Sequence, residues 1–232
     1  MITWHEVQRV RAILPVAQSA SGGVLQPHRV MNDNETADDI KSKLGGRSIV
    51  LVGLMGCGKS SIGKRLACRL AMPFVDADEE IEAVAAKSIS EIFADHGEAF
   101  FRDRERKVIA RLLTQRSQVL ATGGGAYMHP DTRAAIKANG ISIWLKADLP
   151  VLMRRVSKRD TRPLLKTPNP EGTMRKLMEA RYPVYADADI TVESRDEPHD
   201  TLVNEIIDRL RARFVKEEAA RSSGAETALS QR

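Results

Sequence analysis

The sequence predicts an α/β protein: a three-layer sandwich with a central five-stranded parallel sheet, helices on both faces and a lid segment. Three observations lead there. Short apolar runs alternate with helical segments through most of the chain, the signature of a parallel sheet assembled from strand–helix units. The first run passes directly into Gly53-Leu54-Met55-Gly56-Cys57-Gly58-Lys59-Ser60 and then into an apolar-periodic helix over Ile62 to Leu70. Finally, arginine, proline and glycine cluster between Arg154 and Gly172, which reads as a mobile cover for a site.

Strands are expected at Ile49–Val52, Phe74–Val75, Gln118–Ala121, Ile141–Leu145 and Ile190–Val192, with a last helix over roughly Thr201 to Phe214. Open parallel sheets take ligands outside the carboxyl ends of their strands. Chemistry is therefore expected just after Val52, Val75, Ala121 and Leu145. Residues 1–46 differ from the rest, with Ser19 to Gly23, Pro27 and a polar stretch at Asn32 to Glu35. They are expected to form a loose extension. Their first thirty residues share the Arg-bearing, acid-poor character of a transit peptide, but a disordered extension or a true start at Met31 is the preferred account. The ordered domain is expected over 47–215, with a loose tail over 216–232.

Composition narrows the function. The net charge is +5, from 36 Lys+Arg against 31 Asp+Glu, an excess that suits small anionic substrates. Aromatic residues make up 4% and do not interleave with basic ones, so no stacking platform for nucleic acid is present. No apolar run is long enough to span a bilayer. Cys57 and Cys68 fit neither a disulfide framework nor a metal site, which points to a reducing cytoplasm.

The glycine-rich turn at 53–60 has the Gly-x4-Gly-Lys-Ser spacing of a P-loop, in the strand-to-helix context that the motif requires. Its backbone N–H groups and the helix N-terminus suit phosphate oxygens. Lys59 can reach the β/γ-phosphates, and the Ser60 hydroxyl suits Mg²⁺. Cys57, beside a helix N-terminus and a lysine, is expected to be an activated, accessible thiol, and Cys68 a packed one.

Asp76-Ala77-Asp78 follows the second strand, so alternation aims both carboxylates into one site. One would serve a Mg²⁺ shell and the other a substrate hydroxyl, although one can also cap the next helix. On the helix after it, Phe101, Val108, Ile109, Leu112 and Leu113 form an apolar stripe that also contains Arg102 and Glu105. Charges on a buried face need a partner, and an i, i+3 pair supplies one. Arg102 is thus a candidate anion clamp oriented by Glu105. Gly123-Gly124-Gly125 ends the third strand and allows close approach to the backbone. Arg154, Arg155, Arg159 and Arg162 lead into the proline-rich loop over Lys166 to Gly172, and Arg181 is a second candidate for a substrate carboxylate.

Together these motifs resemble the shikimate kinases over about Ser48 to Phe214, with Arg162-Pro163-Leu164-Leu165 and Arg181 with Pro183 and Tyr185 completing the ordered set. The resemblance implies transfer of phosphate from ATP to the 3-hydroxyl of shikimate, with Mg²⁺ as cofactor, in a cytoplasmic monomer. It implies Lys59, Asp78 and Arg162 as catalytic residues. ATP would be held by Gly56, Cys57, Gly58, Lys59, Ser60, Ser61, Arg155, Arg162 and Pro198, with Arg155 stacked on adenine. Shikimate would be held by Asp78, Arg102, Gly123, Gly124, Gly125 and Arg181, and the metal by Ser60 and, through water, Asp76. Ser61 stands where the family usually has threonine, a change that keeps the hydroxyl. Gluconate or nucleoside monophosphate kinases are the alternative. They lack the Phe101-Arg102/Glu105, triple-glycine and Arg181 combination. A nucleotide-dependent switch is less favoured, because no Asn-Lys-x-Asp run is present and Asp78 would be idle in it.

Overall fold

A computed structural model describes residues 33–157 and 167–229. Five strands, β1 (Ser48–Val52), β2 (Phe74–Asp76), β3 (Val119–Ala121), β4 (Gly140–Lys146) and β5 (Ile190–Glu193), form one parallel sheet in the order β2-β3-β1-β4-β5. Every residue of β1 and β3 is buried, whereas edge strand β5 alternates buried and exposed positions. Strands covered on both faces need apolar side chains throughout, which is why β1 reads as a continuous apolar run.

The helices are α1 (Asp33–Leu44), α2 (Lys59–Arg69), α3 (Ala77–Ala85), α4 (Ile89–Gln115), α5 (Pro130–Asn139), α6 (Leu149–Val156), α7 (Pro170–Tyr185) and α8 (His199–Leu229). Crossovers between parallel strands are right-handed. The connection through α2 runs from β1 to the β2 edge, and the one through α5 runs from β3 the opposite way to β4, so the two helices cover opposite faces. α8 packs with α2 and α1, while α4 and the 3₁₀ turn Ala126–Met128 pack with α5. The reversal of winding falls between β1 and β3. Their following loops therefore lie side by side at the place where such sheets take ligands.

Three boundaries differ from expectation. Residues 33–44, expected to be loose, form α1, whose Ala37, Ile40 and Leu44 are buried at i, i+3, i+7 spacing. α8 continues well past Phe214 into the expected tail. There Glu217 pairs with Arg47 at 3.1 Å and with Arg213 at 2.9 Å, and Glu218 with Lys43 at 3.4 Å, tying the added turns to α1 and the residues after it. Pro170-Glu171-Gly172, expected in a loop, make the first turn of α7, because Asn169 caps the Gly172 N–H at 2.8 Å and proline is tolerated at a first helical position. The readings of a transit peptide and of a start at Met31 concern residues outside the described ones.

Candidate active site

The turn between β1 and α2 is held in a form open to phosphate. Gly53 and Gly58 sit at φ 137° and 98°, a region that favours glycine. A Cβ at Gly53 would also lie 2.8 Å from Leu145 O, so the turn is closed against the end of β4. No side chain caps α2 and no acidic residue stands in its first turn. Elsewhere Asp76, Ser88, His129 and Asn169 cap α3, α4, α5 and α7. α6 likewise lacks a side-chain cap, but the open end of α2 is the one that the P-loop motif assigns to phosphate. Lys59 Nζ donates to Gly53 O at 2.8 Å and Leu54 O at 2.9 Å, which holds the ammonium over the loop.

Asp76 does two jobs at once. Its Oδ1 accepts the Asp78 N–H at 3.1 Å as the cap of α3, and its Oδ2 accepts from Ser60 Oγ at 2.7 Å. The capping alternative is therefore right for Asp76, and the same carboxylate still faces the phosphate loop. Asp78 lines the same cleft of about 380 Å³, with Lys59, Ser60, Gly124 and Arg155. Ser60 and Asp76 offer hard oxygen donors, the chemistry that Mg²⁺ takes. Among the described residues no cluster of three or more His, Cys, Asp or Glu is placed to hold a metal alone.

The glycine run is packed by charged side chains. A Cβ at Gly123 would sit 2.3 Å from Glu105 Oε1 and 2.9 Å from Asp78 Oδ1, and one at Gly125 would sit 2.7 Å from the Arg102 guanidinium. Glycine leaves room here for the ends of these charged side chains to press onto the backbone. Arg102 Nη1 donates to Glu105 Oε2 at 2.7 Å, and its Nε and Nη2 donate to Glu98 Oε1 at 3.2 and 3.1 Å. Glu105 is 2% exposed, and burial raises its pKa against the opposing charge of Arg102. Its Oε1 has no hydrogen-bond partner. Arg181 Nη1 donates to Gly124 O at 2.9 Å. Arg102, Glu105, Gly125 and Arg181 line a second cleft of about 310 Å³ on the far side of the glycine run.

Arg155, on α6, reaches across the phosphate loop. It donates to Ser194 Oγ at 2.8 Å, Gly56 O at 3.4 Å and Arg195 O at 2.5 Å. Ser194 Oγ in turn donates to Cys57 O at 2.8 Å. Gly58, Arg155, Pro198 and His199 line a small recess beside the loop.

The structure thus gathers Gly56, Gly58, Lys59, Ser60, Ser61, Asp76, Asp78, Gly124 and Arg155 at one cleft, with Pro198 beside it, and Arg102, Gly125 and Arg181 at its neighbour. Gly123 joins the two through Glu105 and Asp78. Arg162 lies outside the described residues. The expectation for the two thiols is reversed: Cys57 is 0% exposed and Cys68 is exposed. The Cys57 side chain turns under the loop, where a Cβ at Gly53 would lie 2.9 Å from its sulfur, and Lys59 Nζ stands 3.6 Å from it. Sequence reasoning also missed Ser194 and Glu98. A lone serine after a strand carries no spacing signal, but Glu98 could have been found, since it stands four residues before Arg102 on the same helix.

The fold and the site define a class: a P-loop kinase acting on a small molecule, with a phosphate cradle beside an acidic and arginine-lined pocket. The family model for shikimate kinase matches residues 55–211. The chain is 60% identical to a shikimate kinase of Bradyrhizobium diazoefficiens over 182 residues, 78% of this chain and 88% of that one. It is 52% identical to a shikimate kinase of Brucella canis over 189 residues, 82% of this chain and 94% of that one. A solved shikimate kinase from Acinetobacter baumannii, in complex with shikimate, is similar with a TM-score of 0.72 and 35% identity, covering 75% of this chain and 98% of that one. A gluconokinase structure from Sinorhizobium meliloti aligns at a TM-score of 0.51 and 19% identity, which speaks to the fold alone. The chain belongs to the shikimate kinase family.

Proposed function

We infer that the chain transfers the γ-phosphoryl group of ATP to the 3-hydroxyl of shikimate, giving shikimate 3-phosphate and ADP. The observation that carries this reading is the adjacency of the phosphate loop to Asp78 and the two arginines across a three-residue glycine run. In this reading Arg102 and Arg181 grip the substrate carboxylate, with Glu105 and Glu98 orienting Arg102. Asp78 and the glycine backbone hold the hydroxyls, and Asp78 accepts the proton of the attacking one. Lys59 and Arg162 neutralise charge on the transferring group, and Arg155 with Pro198 borders the adenine. Ser60 and Asp76 would hold Mg²⁺ with the nucleotide. Bound there, the ion screens phosphate charge. What this chain contributes is positioning, because a loose phosphoryl-transfer transition state needs little covalent help.

A coupled assay for ADP release, run with shikimate, gluconate and AMP in parallel, tests the proposal. Turnover with shikimate and background rates with the other two are expected. Equal or greater turnover with gluconate or AMP would reject it.

A further inference from the structure

The last turn of α7 brings three side chains to the loops that follow β3 and β4. Arg181 Nη1 donates to Gly124 O at 2.9 Å, and the hydroxyl of Tyr185 donates to the same carbonyl. One residue beyond Arg181, the hydroxyl of Tyr182 donates to Ala147 O just beyond β4. Gly124 itself lies against the phosphate loop, since a Cβ there would be 3.5 Å from Met55 N and 3.6 Å from Gly53 O. The carbonyl that the two α7 residues share therefore belongs to the segment separating the two clefts.

Tyr185 is well suited to hold that carbonyl in place. It is 0% exposed, with its ring centroid 5.9 Å from that of Trp144 and 6.2 Å from that of Tyr127. With Tyr182 as a third aromatic neighbour at 6.3 Å, the packed ring has few rotamers left to lose. Burial raises the pKa of its hydroxyl far above neutrality, so the group stays protonated and can donate. Arg181 is less confined: it is half-buried and carries a long, flexible stem. A carbonyl oxygen has two lone pairs. With one taken by a rigid tyrosine, the oxygen has a fixed position, and the guanidinium that shares it acquires a fixed anchor.

We propose that Tyr185 is a positioning residue for substrate binding, its hydroxyl fixing the Gly124 carbonyl and thereby the Arg181 guanidinium that meets the substrate carboxylate. The proposal rests on the reading that Arg181 grips shikimate. Tyr185 does not touch the reacting atoms. Its effect passes through Gly124 and Arg181, so it should weigh on shikimate affinity and leave the nucleotide alone.

Tyr185→Phe keeps the ring and removes the hydroxyl. Steady-state kinetics should show the KM for shikimate raised about fivefold to tenfold, the KM for ATP unchanged, and a melting temperature close to the parent's. The decisive comparison is a double-mutant cycle with Arg181→Ala. If Tyr185 acts through Arg181, adding Tyr185→Phe to Arg181→Ala should raise the shikimate KM no further. A Tyr185→Phe enzyme with parental shikimate KM, or effects of the two substitutions that multiply, would overturn the proposal while leaving the Arg181 grip intact. An Arg181→Ala enzyme with parental shikimate KM would instead overturn the grip, and this proposal with it.

Discussion

Glu105 is buried with one oxygen on Arg102 and the other without a partner, beside Asp78. Burial raises its pKa from the ordinary 4.5, so the folded protein holds this proton more tightly than the unfolded chain. The sign follows: its contribution to stability is present below the ordinary value and is lost as pH rises through the folded one. Glu105→Gln lacks this titration. Thermal scans from about pH 4 to 8 should show the melting temperature of the variant, relative to the parent, rising with pH. A difference that is flat or falls with pH would mean that the carboxylate is not strained by burial. The two thiols give a second outcome at this scale. Cys68 is exposed and Cys57 is fully buried, so a mild alkylating reagent should label Cys68 first, as read by peptide mapping. Labelling of Cys57 ahead of Cys68 would show that the phosphate loop opens far more readily than its packing implies.

At the scale of elements, α2 lies unusually close to the sheet. A Cβ at Gly63 would meet the Phe74 ring at 2.5 Å and Leu51 Cδ1 at 3.1 Å. Helix propensity alone predicts that Gly63→Ala stabilises by about 1 kcal/mol. Overpacking costs about 1–3 kcal/mol, so the clash should win. Urea unfolding should therefore show a destabilised variant, and a stabilised one would mean that Phe74 moves aside at no cost. The same helix illustrates what pattern reading can and cannot find. Its apolar positions Ile62 and Leu66, with Leu70 at its C-cap, are legible at helical spacing and all are buried. The contact that requires glycine at 63 is not, because Phe74 comes from β2 and the distance is set by packing of helix on sheet. Helix α4 repeats the lesson. Its apolar stripe from Phe101 to Leu113 is buried as read, whereas the kink at non-helical Gly97, φ 78°, four residues before the stripe, is only one more glycine in the sequence.

For the whole molecule, the boundary lies earlier than composition suggests. Leu44 is 1% exposed, and α1 packs against α8, so the domain begins before β1. Leu44→Ala should cost about 2–5 kcal/mol in chemical denaturation, the range for truncating a buried leucine. A loss near zero would return α1 to the status of a loose extension. In the sequence its first turn is polar and its apolar positions are few, so the weak amphipathic pattern is outweighed by Asn32 to Glu35. The end of α8 is hidden for the opposite reason. Beyond Phe214 it is charged, and charge alone does not say that Glu217 and Glu218 find Arg47 and Lys43.

By itself the sequence determined the strands and the phosphate loop, because each rests on local spacing, while the resemblance to the family rested on the ordered set of motifs from Ser48 to Phe214. Strand runs, the Gly-x4-Gly-Lys-Ser turn and the Arg102/Glu105 pair all lie within a few residues of their partners, where periodicity and helix geometry act directly. The strand order, and with it the placing of Gly124 against Met55, was decided only by the fold, since right-handed crossovers must be assembled before the loops after β1 and β3 can meet. The burial of Cys57, the bridge from Arg155 through Ser194 to the phosphate loop, and the carbonyl shared by Arg181 and Tyr185 belong to the tertiary structure for the same reason. The bridge and the shared carbonyl join residues tens of positions apart, and no local rule states which side chain a distant backbone oxygen will receive.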